Sequence, residues 1–489
     1  MRVTKSDRAQ RTALASAILF CLAAPAAHGA TITVNSNDDS VSSTFCNLRA
    51  AITSINNAVA VPTCSAVTSG AFGSNDTIVF GALANSVITL QQGRLDVTKL
   101  LTITGSGQTI DANGFMALYV TTGGLMASHL TIRNGFDQYV AGGITAIGGT
   151  LALDSVTLYG NQGGLGGAVF TDFGATATIT DSNLNGNSSS SAGGAIFSRS
   201  PLTVTGSFFT DNSATNTGGA VVNSGGSLTV SDSVILGNTA ASGGAISTDG
   251  SVQVNRSIVS GNSAGVGGAM YTGSSSAAIT IVESTLSGNH ATAGNGGVIG
   301  TTVGGTFTLI NTTASGNTAT AKGGVIYSSK YAKVTLTNAT ISGNFANAGG
   351  AMYFKKLGTN LTFANSIVSA NSAATGTDMA GEFAALTGNN NLLGSALDTP
   401  PFNSAGNNNR FSDSPGLGPL QDNGGFTKTM AVLPGSLAMN GGSNASAAGL
   451  TTDQRGEGFV RIAGGLVDIG AYEYGGDTLF ADDFEPAFQ

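Results

Sequence analysis

Tryptophan is absent from this chain of 489 residues, and proline (9 residues), cysteine (3) and histidine (3) are scarce. Charged residues are also few, at 9%, beside a hydrophobic share of 41%. A sequence with so little charge and so many apolar residues buries a core, which excludes an intrinsically disordered chain. Glycine is abundant, with 72 residues, and its combination with Ser, Thr, Asn and Val favours β-structure with many turns over helices.

Basic residues are outnumbered, with 19 Lys and Arg against 27 Asp and Glu. Residues 1–29 are predicted to be a signal peptide, because four basic residues precede a short apolar run and small residues that permit cleavage. The remaining chain then has 15 basic and 26 acidic residues and a net charge near −11. This acidity argues against nucleic acid and anionic membranes as partners.

Only two cysteines, Cys46 and Cys64, lie beyond the predicted signal peptide. In an exported chain such a pair predicts one disulfide bond. No other stretch is long and apolar enough to cross a membrane as a helix. The sequence therefore predicts a secreted or cell-surface protein whose mature part has no transmembrane helix, and it indicates no cofactor and no metal site.

The most prominent pattern in the sequence is an internal repeat of about 26 residues. A Gly-Gly pair followed by two small or apolar residues occurs nine times, and an asparagine recurs in phase with it. The pairs begin at Gly142, Gly166, Gly193, Gly218, Gly243, Gly267, Gly296, Gly323 and Gly349. The asparagines are Asn134, Asn161, Asn187, Asn212, Asn238, Asn262, Asn289, Asn317, Asn344 and Asn371.

Each repeat contains strands of only three to five residues, which cannot bury an apolar face alone. Stacked repeats give each strand parallel neighbours above and below and create one continuous core. The sequence thus predicts an all-β fold, a right-handed parallel β-helix (a pectin-lyase-like solenoid) over residues 76–375. The asparagines are expected in left-handed turns with their amides in a hydrogen-bonded ladder, and the paired glycines in a tight bend.

A short capping helix is predicted before the repeats, within residues 30–75. Asn47 is a suitable N-cap, and Cys46 and Cys64 bracket the helix, so their bond would staple this cap. The apolar stripe of the helix consists of Leu48, Ala51, Ile52, Ile55 and Val59.

Residues 46–52, CNLRAAI, resemble the CSLREA motif at the start of many exported bacterial β-helix proteins, although Ala50 stands where that family has glutamate. The Gly-Asn and Gly-Gly-Ala-Ile repeats are similar to those of polymorphic outer membrane proteins. Four ordered blocks at 416–425, 433–436, 453–456 and 468–473 resemble the choice-of-anchor Q domain of secreted β-helix proteins. These resemblances imply C-terminal coils and a cap at 376–475, followed by an acidic tail at 476–489.

Carboxylates in one column of the repeat are the candidates for catalysis, because parallel β-helices also host polysaccharide lyases and hydrolases. Six residues before the repeating asparagine, Asp181, Asp232 and Glu283 occupy alternate turns, roughly 10 Å apart at the usual strand spacing. That separation suits an inverting glycoside hydrolase. The same residues precede Ser/Thr turns, where local hydrogen bonds explain them, and the sequence favours this second interpretation.

Aromatic residues recur at the third position after the Gly-Gly pair. Since the residue before each of them is apolar and predicted to point inward, strand alternation places the aromatic side chain outside. Exposed aromatic rings could stack against sugars, although isolated apolar residues on a sheet surface are also ordinary. The ligand-binding candidates are Phe170, Phe197, Tyr271, Tyr327 and Tyr353.

The leading hypothesis is a non-catalytic, monomeric, exported protein of the cell surface, the outer membrane or the medium of a Gram-negative-type bacterium. It would act in adhesion to a host or neighbouring cell surface or in contact with extracellular glycans. A polysaccharide lyase or glycoside hydrolase on the same fold and a structural surface spacer are the alternatives.

Overall fold

The computed structural model describes residues 29–40, 44–356, 359–382, 385–394 and 407–477. The predicted signal peptide, except Gly29, and residues 478–489 of the predicted tail lie outside the described residues. The described chain forms a parallel β-solenoid of about 12 turns, as the repeat predicts. A complete turn contributes one strand to each of four sheets, here called sheets one to four in the order in which the chain passes through them.

The strands of sheets one and two are the following. Sheet one contains Thr31–Val34, Thr68–Ser69, Asp76–Phe80, Leu101–Thr104, Gly124–Ser128, Gly149–Asp154, Ala175–Thr180, Leu202–Thr205, Ser227–Ser231, Ser251–Asn255, Ala278–Val282, Gly305–Ile310, Ala332–Thr337, Asn360–Ala364 and Ala385–Asn389. Sheet two contains Val87–Thr89, Thr109–Asp111, Thr131–Arg133, Thr157–Tyr159, Asn183–Asn185, Phe208–Thr210, Val234–Leu236, Ile258–Ser260, Thr285–Ser287, Thr313–Ser315, Thr340–Ile341, Ile367–Val368, Leu392–Leu393 and Arg410–Phe411.

Sheets three and four complete the turns. Sheet three contains Phe136–Asp137, Gln162–Leu165, Ser188–Ala192, Ser213–Ala214, Thr239–Ser242, Ser263–Val266, His290–Ala291, Thr318–Lys322 and Phe345–Ala348. Sheet four contains Leu95–Val97, Leu118–Val120, Ile144–Ala146, Val169–Thr171, Ile196–Ser198, Val221–Asn223, Ile246–Thr248, Met270–Thr272, Ile299–Thr301, Ile326–Ser328, Met352–Phe354 and Met379–Gly381. Strands of successive turns pair in parallel, and Thr68–Ser69 pairs antiparallel to Thr31–Val34.

The core runs through the middle of the solenoid, because alternate residues of each strand point inward. In Ala175–Thr180 the residues at positions one, three and five are buried, and those between them are exposed or half-buried. The inward positions of successive turns are apolar and form one continuous cluster. The period of two in the sequence thus separates a dry interior from a polar outer surface.

The asparagine ladder is confirmed, with a correction to its backbone. In the eight steps from Asn161 to Asn371, the backbone N–H and the side-chain amide both donate to Oδ1 of the next asparagine, and Asp378 accepts at the end. The residue before the ladder position, such as Gly160 or Gly186, adopts the left-handed backbone instead of the asparagine. Asn134 occupies the preceding position, so among the repeating asparagines the prediction of a left-handed backbone is correct for Asn134 alone. Gly135 occupies the ladder position of that turn, and its backbone N–H donates to Oδ1 of Asn161.

The N-terminal cap contains an α-helix, Leu48–Asn57, and a 3-10 helix, Pro62–Val67. The side chain of Asn47 accepts a hydrogen bond from the N–H of Ala50 (2.8 Å), as an N-cap does. The predicted disulfide bond between Cys46 and Cys64 is present. Val59 was expected in the buried stripe, but the helix ends before it and its side chain is 66% exposed.

Residues 416–477, here called the C-terminal segment, turn back and lie along the outer face of sheet two. They contain the antiparallel strands Leu417–Gln421 and Thr429–Val432. Residues of successive turns hydrogen-bond to this segment, Glu283 through its backbone carbonyl oxygen and the others through their side chains. The pairs are Glu283 with Thr427, Asn311 with Thr452, Thr340 with Ala471, Asn365 with Ser443 and Asn390 with Gly441.

Candidate functional site

The three predicted catalytic candidates lie at the turn between sheets one and two. Their backbones are left-handed, with φ of 47° at Asp181, 51° at Asp232 and 50° at Glu283. Asparagine occupies the same position in later turns, and short polar side chains tolerate this backbone better than most. The turn geometry therefore explains Asp and Asn in this column without a catalytic role.

The three carboxylates have different neighbours. Both oxygens of Asp232 accept hydrogen bonds from Arg256 of the next turn, at 2.9 Å from Nε and 2.7 Å from Nη2. Asp181 is exposed and lies against Gly206, where an added Cβ would collide with its Oδ1. Burial beside the C-terminal segment raises the pKa of Glu283, although Arg256 opposes this shift. Arg256 thus forms an ion pair with Asp232 across neighbouring turns.

The predicted aromatic candidates lie on the outer side of sheet four, but Phe170, Phe197 and Tyr327 are buried there. Phe170 is 2% exposed, and Phe197 is 9% exposed; their rings stack with centroids 5.9 Å apart. Ala141 and Ala192 pack over them in a second, small apolar cluster. The expectation of a solvent-exposed row is wrong at these positions, because the chain beside sheet three folds over sheet four.

The tyrosine candidates divide into a pair and a single residue. Tyr327 is buried and stacks on the half-buried Tyr353 with ring centroids 6.1 Å apart, and burial raises the pKa of Tyr327. Lys322 lies over the ring of Tyr353 and donates to its hydroxyl at 3.1 Å. Tyr271 is half-buried between Ser247 and Gly300 of the adjacent strands, so no aromatic residue neighbours it in this column. A ligand-binding role for these side chains stays a prediction.

A groove of about 530 Å³ lies on the outer face of sheet three, in its first four turns. Its volume falls within the range that is usual for small-ligand sites. Phe136 lies at one end of the groove and is 51% exposed. The groove is lined by residues 136–138, 162–163, 188–190 and 213–215.

One wall of the groove is the loop that follows Phe136. Asp137 Oδ1 accepts hydrogen bonds from the N–H groups of Tyr139 (2.8 Å) and Val140 (2.9 Å), which fixes the turn. A Cβ at Gly163 would lie 2.5 Å from the carbonyl oxygen of Val140, so glycine permits the close approach of this loop. Gly164 then donates to the same carbonyl at 3.0 Å and ties the loop to the next turn.

The chemistry of this lining suits an uncharged polyol. An exposed aromatic ring, two glutamine amides and several Ser and Thr hydroxyls face the same space. Sugars present apolar C–H faces that stack on aromatic rings and hydroxyl groups that both donate and accept hydrogen bonds. The groove offers both kinds of contact, and Asp137 adds a carboxylate acceptor.

Sequence reasoning did not identify this groove, although the repeat carries a signal for it. The residue directly after each ladder position begins a strand of sheet three and points outward. Aligning the repeats on that position places Phe136 in one column with Gln162, Ser188 and Ser213. The wall formed by the loop has no counterpart in the repeat pattern, because it depends on contacts between turns.

Within the described ranges no cluster of three or more His, Cys, Asp and Glu side chains could hold a metal ion. The same ranges contain no helix with the length and apolar character needed to span a membrane. Comparison with protein-family models and with curated proteins finds no match for this chain.

Proposed function

We propose that this chain is a non-catalytic exported β-solenoid that contacts neutral extracellular glycans through the groove on sheet three. The observation that carries this proposal is the exposed ring of Phe136 at the end of a groove lined by amides and hydroxyls. Such a site would let an adhesion protein bind a glycan specifically, and binding of this kind requires no catalytic acid or base. We place the protein at the cell surface, in the outer membrane or in the medium.

We further propose that the chain is of the CSLREA and choice-of-anchor Q kind. The support comes from the cap, where Arg49 of the CNLRAAI motif pairs with the buried Asp39 at 2.8 Å. Arg49 also donates to the carbonyl oxygens of Gly93 and Arg94, which fixes the helix on the first turns. These contacts give the motif a capping role that requires no catalytic chemistry.

The test is glycan-array binding of the purified chain, residues 30–489, with three variants. We expect Phe136→Ala to lower the affinity for a bound neutral glycan about tenfold, because the stacking surface is lost. Tyr331→Ala is the matched control, since its ring is 66% exposed but lies outside the groove. A double Tyr327→Ala, Tyr353→Ala variant tests the sheet-four site that the sequence suggests. If binding is lost in this double variant and retained in Phe136→Ala, the proposal that the groove is the glycan-binding site is wrong.

Hydrolysis of a polysaccharide is the second candidate function, and it rests on the raised pKa of Glu283. Burial raises the pKa of this carboxyl group, so it keeps its proton to a higher pH than an exposed glutamate does, which is the direction that a general acid requires. Incubation with polysaccharides, with and without calcium, would then release oligosaccharides, and Glu283→Gln would abolish the release. Absence of both binding and release would leave a structural spacer as the function.

A further inference from the structure

The groove opens onto a longer column of residues along sheet three, here called the hydroxyl track. The pairing register places nine outward-facing residues one above the other, from Phe136 to Phe345. The track consists of Phe136, Gln162, Ser188, Ser213, Thr239, Ser263, His290, Thr318 and Phe345.

Exposed aromatic rings stand at both ends of the track. Phe136 and Phe345 are each 51% exposed, and every residue between them is exposed or half-buried. Eight strand steps separate the two rings, which corresponds to about 38 Å at the usual spacing of neighbouring strands. The surface between the rings is therefore long enough for several sugar residues in a row.

The track carries no Asp, Glu, Lys or Arg, so its only titratable side chain is His290. Nδ1 of His290 is hydrogen-bonded to the hydroxyl of Thr318, its neighbour in the track. Small hydroxyl side chains give a flat surface with hydrogen-bond donors and acceptors at a regular interval. A neutral ligand meets no Asp, Glu, Lys or Arg among the nine track residues, whereas a polyanion finds no cationic partner among them and is repelled by an acidic chain.

We infer that the hydroxyl track binds a linear neutral polysaccharide lengthwise, with Phe136 and Phe345 as stacking platforms at its two ends. This inference rests on the proposed function, since the groove is the N-terminal part of the track. It adds the linear form of the ligand, its direction along the solenoid and a second stacking platform. Affinity then depends on the number of turns that one glycan covers.

The test is calorimetric titration of the full chain with neutral oligosaccharides of two to eight residues. The probes are β-1,4-linked glucose, β-1,4-linked N-acetylglucosamine, α-1,4-linked glucose and β-1,4-linked mannose. We expect affinity to rise with length, and we expect Phe345→Ala to cause a loss that increases with oligosaccharide length to about tenfold. Tyr331→Ala is the control, and circular dichroism with thermal melting verifies that each variant is folded.

The outcomes separate this inference from the proposed function. If binding is lost in Phe136→Ala but depends neither on oligosaccharide length nor on Phe345, the inference about the hydroxyl track is wrong and the proposed glycan site in the groove stands. Absence of binding to all four neutral series would overturn both. Tighter binding of oligogalacturonate than of the neutral series would overturn the assignment to neutral glycans.

Discussion

At the scale of single residues, the asparagine ladder joins successive turns by buried side chains. Asn238 donates through its backbone N–H and its amide to Oδ1 of Asn262, and its own Oδ1 accepts the two equivalent bonds from Asn212. Its amide also donates to the carbonyl oxygen of Phe209 at 3.0 Å. Each asparagine therefore satisfies buried backbone groups that the left-handed turn leaves without a strand partner.

We predict that Asn238→Ala destabilises the solenoid, because it removes the acceptor of two buried donors and the donor to Phe209. Each buried polar group that is left unpaired costs roughly 1–3 kcal/mol. Denaturant unfolding followed by circular dichroism measures the change. The control is Asn216→Ala, since Asn216 is exposed and lies outside the ladder. Equal effects of the two substitutions would contradict a stabilising role of the ladder.

At the scale of elements, the C-terminal segment is held by buried ion pairs of its own. Arg461 and Glu473 are paired at 3.0 Å, and Arg455 and Asp453 are paired at 2.7 Å, with all four side chains at most 2% exposed. Burial raises the pKa of Glu473 to about 7, against the pull of Arg461. The pKa of the neighbouring Asp468 is also raised by burial.

A raised pKa of a carboxyl group means that the folded protein binds the proton more tightly than the unfolded chain does. The contribution of Glu473 to stability is thus complete below the unfolded pKa of 4.5 and is lost as the pH rises through about 7. We predict a higher melting temperature of the full chain at pH 6 than at pH 8. In Glu473→Gln this difference should shrink, because that side chain does not titrate. A melting temperature that rises from pH 6 to pH 8 would contradict the prediction.

At the scale of the whole molecule, the solenoid has an open half and a covered half. The outward column of sheet two is buried in the later turns, where the C-terminal segment lies on it, at Thr285, Thr313 and Thr340. In earlier turns the same column carries Phe208, 39% exposed, and the half-buried Val234. A repeat protein gains stability from neighbour contacts, so this extra layer stabilises one half more than the other.

We predict slower amide hydrogen exchange in the covered strands Thr285–Ser287 and Thr313–Ser315 than in Phe208–Thr210 and Val234–Leu236. The reason is that local opening of the covered strands must also detach the C-terminal segment. Exchange followed by mass spectrometry on the intact chain measures the difference. Sheet one serves as the internal control, because Ser227–Ser231 and Gly305–Ile310 have open outer faces in both halves. Uniform exchange along sheet two would refute the two-part organisation.

The amino-acid sequence by itself determined the solenoid, because each repeat encodes its own strands, turns and inward residues. The asparagine ladder, the disulfide bond between Cys46 and Cys64 and the helix capped by Asn47 follow from spacing and from local hydrogen bonding. Such features depend on near neighbours or on the same position one turn away. A periodic sequence therefore predicts them directly.

Only the tertiary structure decided which outer faces remain open. Phe170 and Phe197 lie outside the main core, as alternation predicts, yet Ala141 and Ala192 pack against them in a second buried cluster. The C-terminal segment lies along the side of sheet two, and the loop after Phe136 forms the wall of the groove. These arrangements join segments that the repeat does not relate, up to 169 residues apart for Gln454 and Thr285. The period of the sequence determines whether a side chain points into or out of the solenoid. Contacts between distant segments determine whether an outward side chain is exposed to solvent.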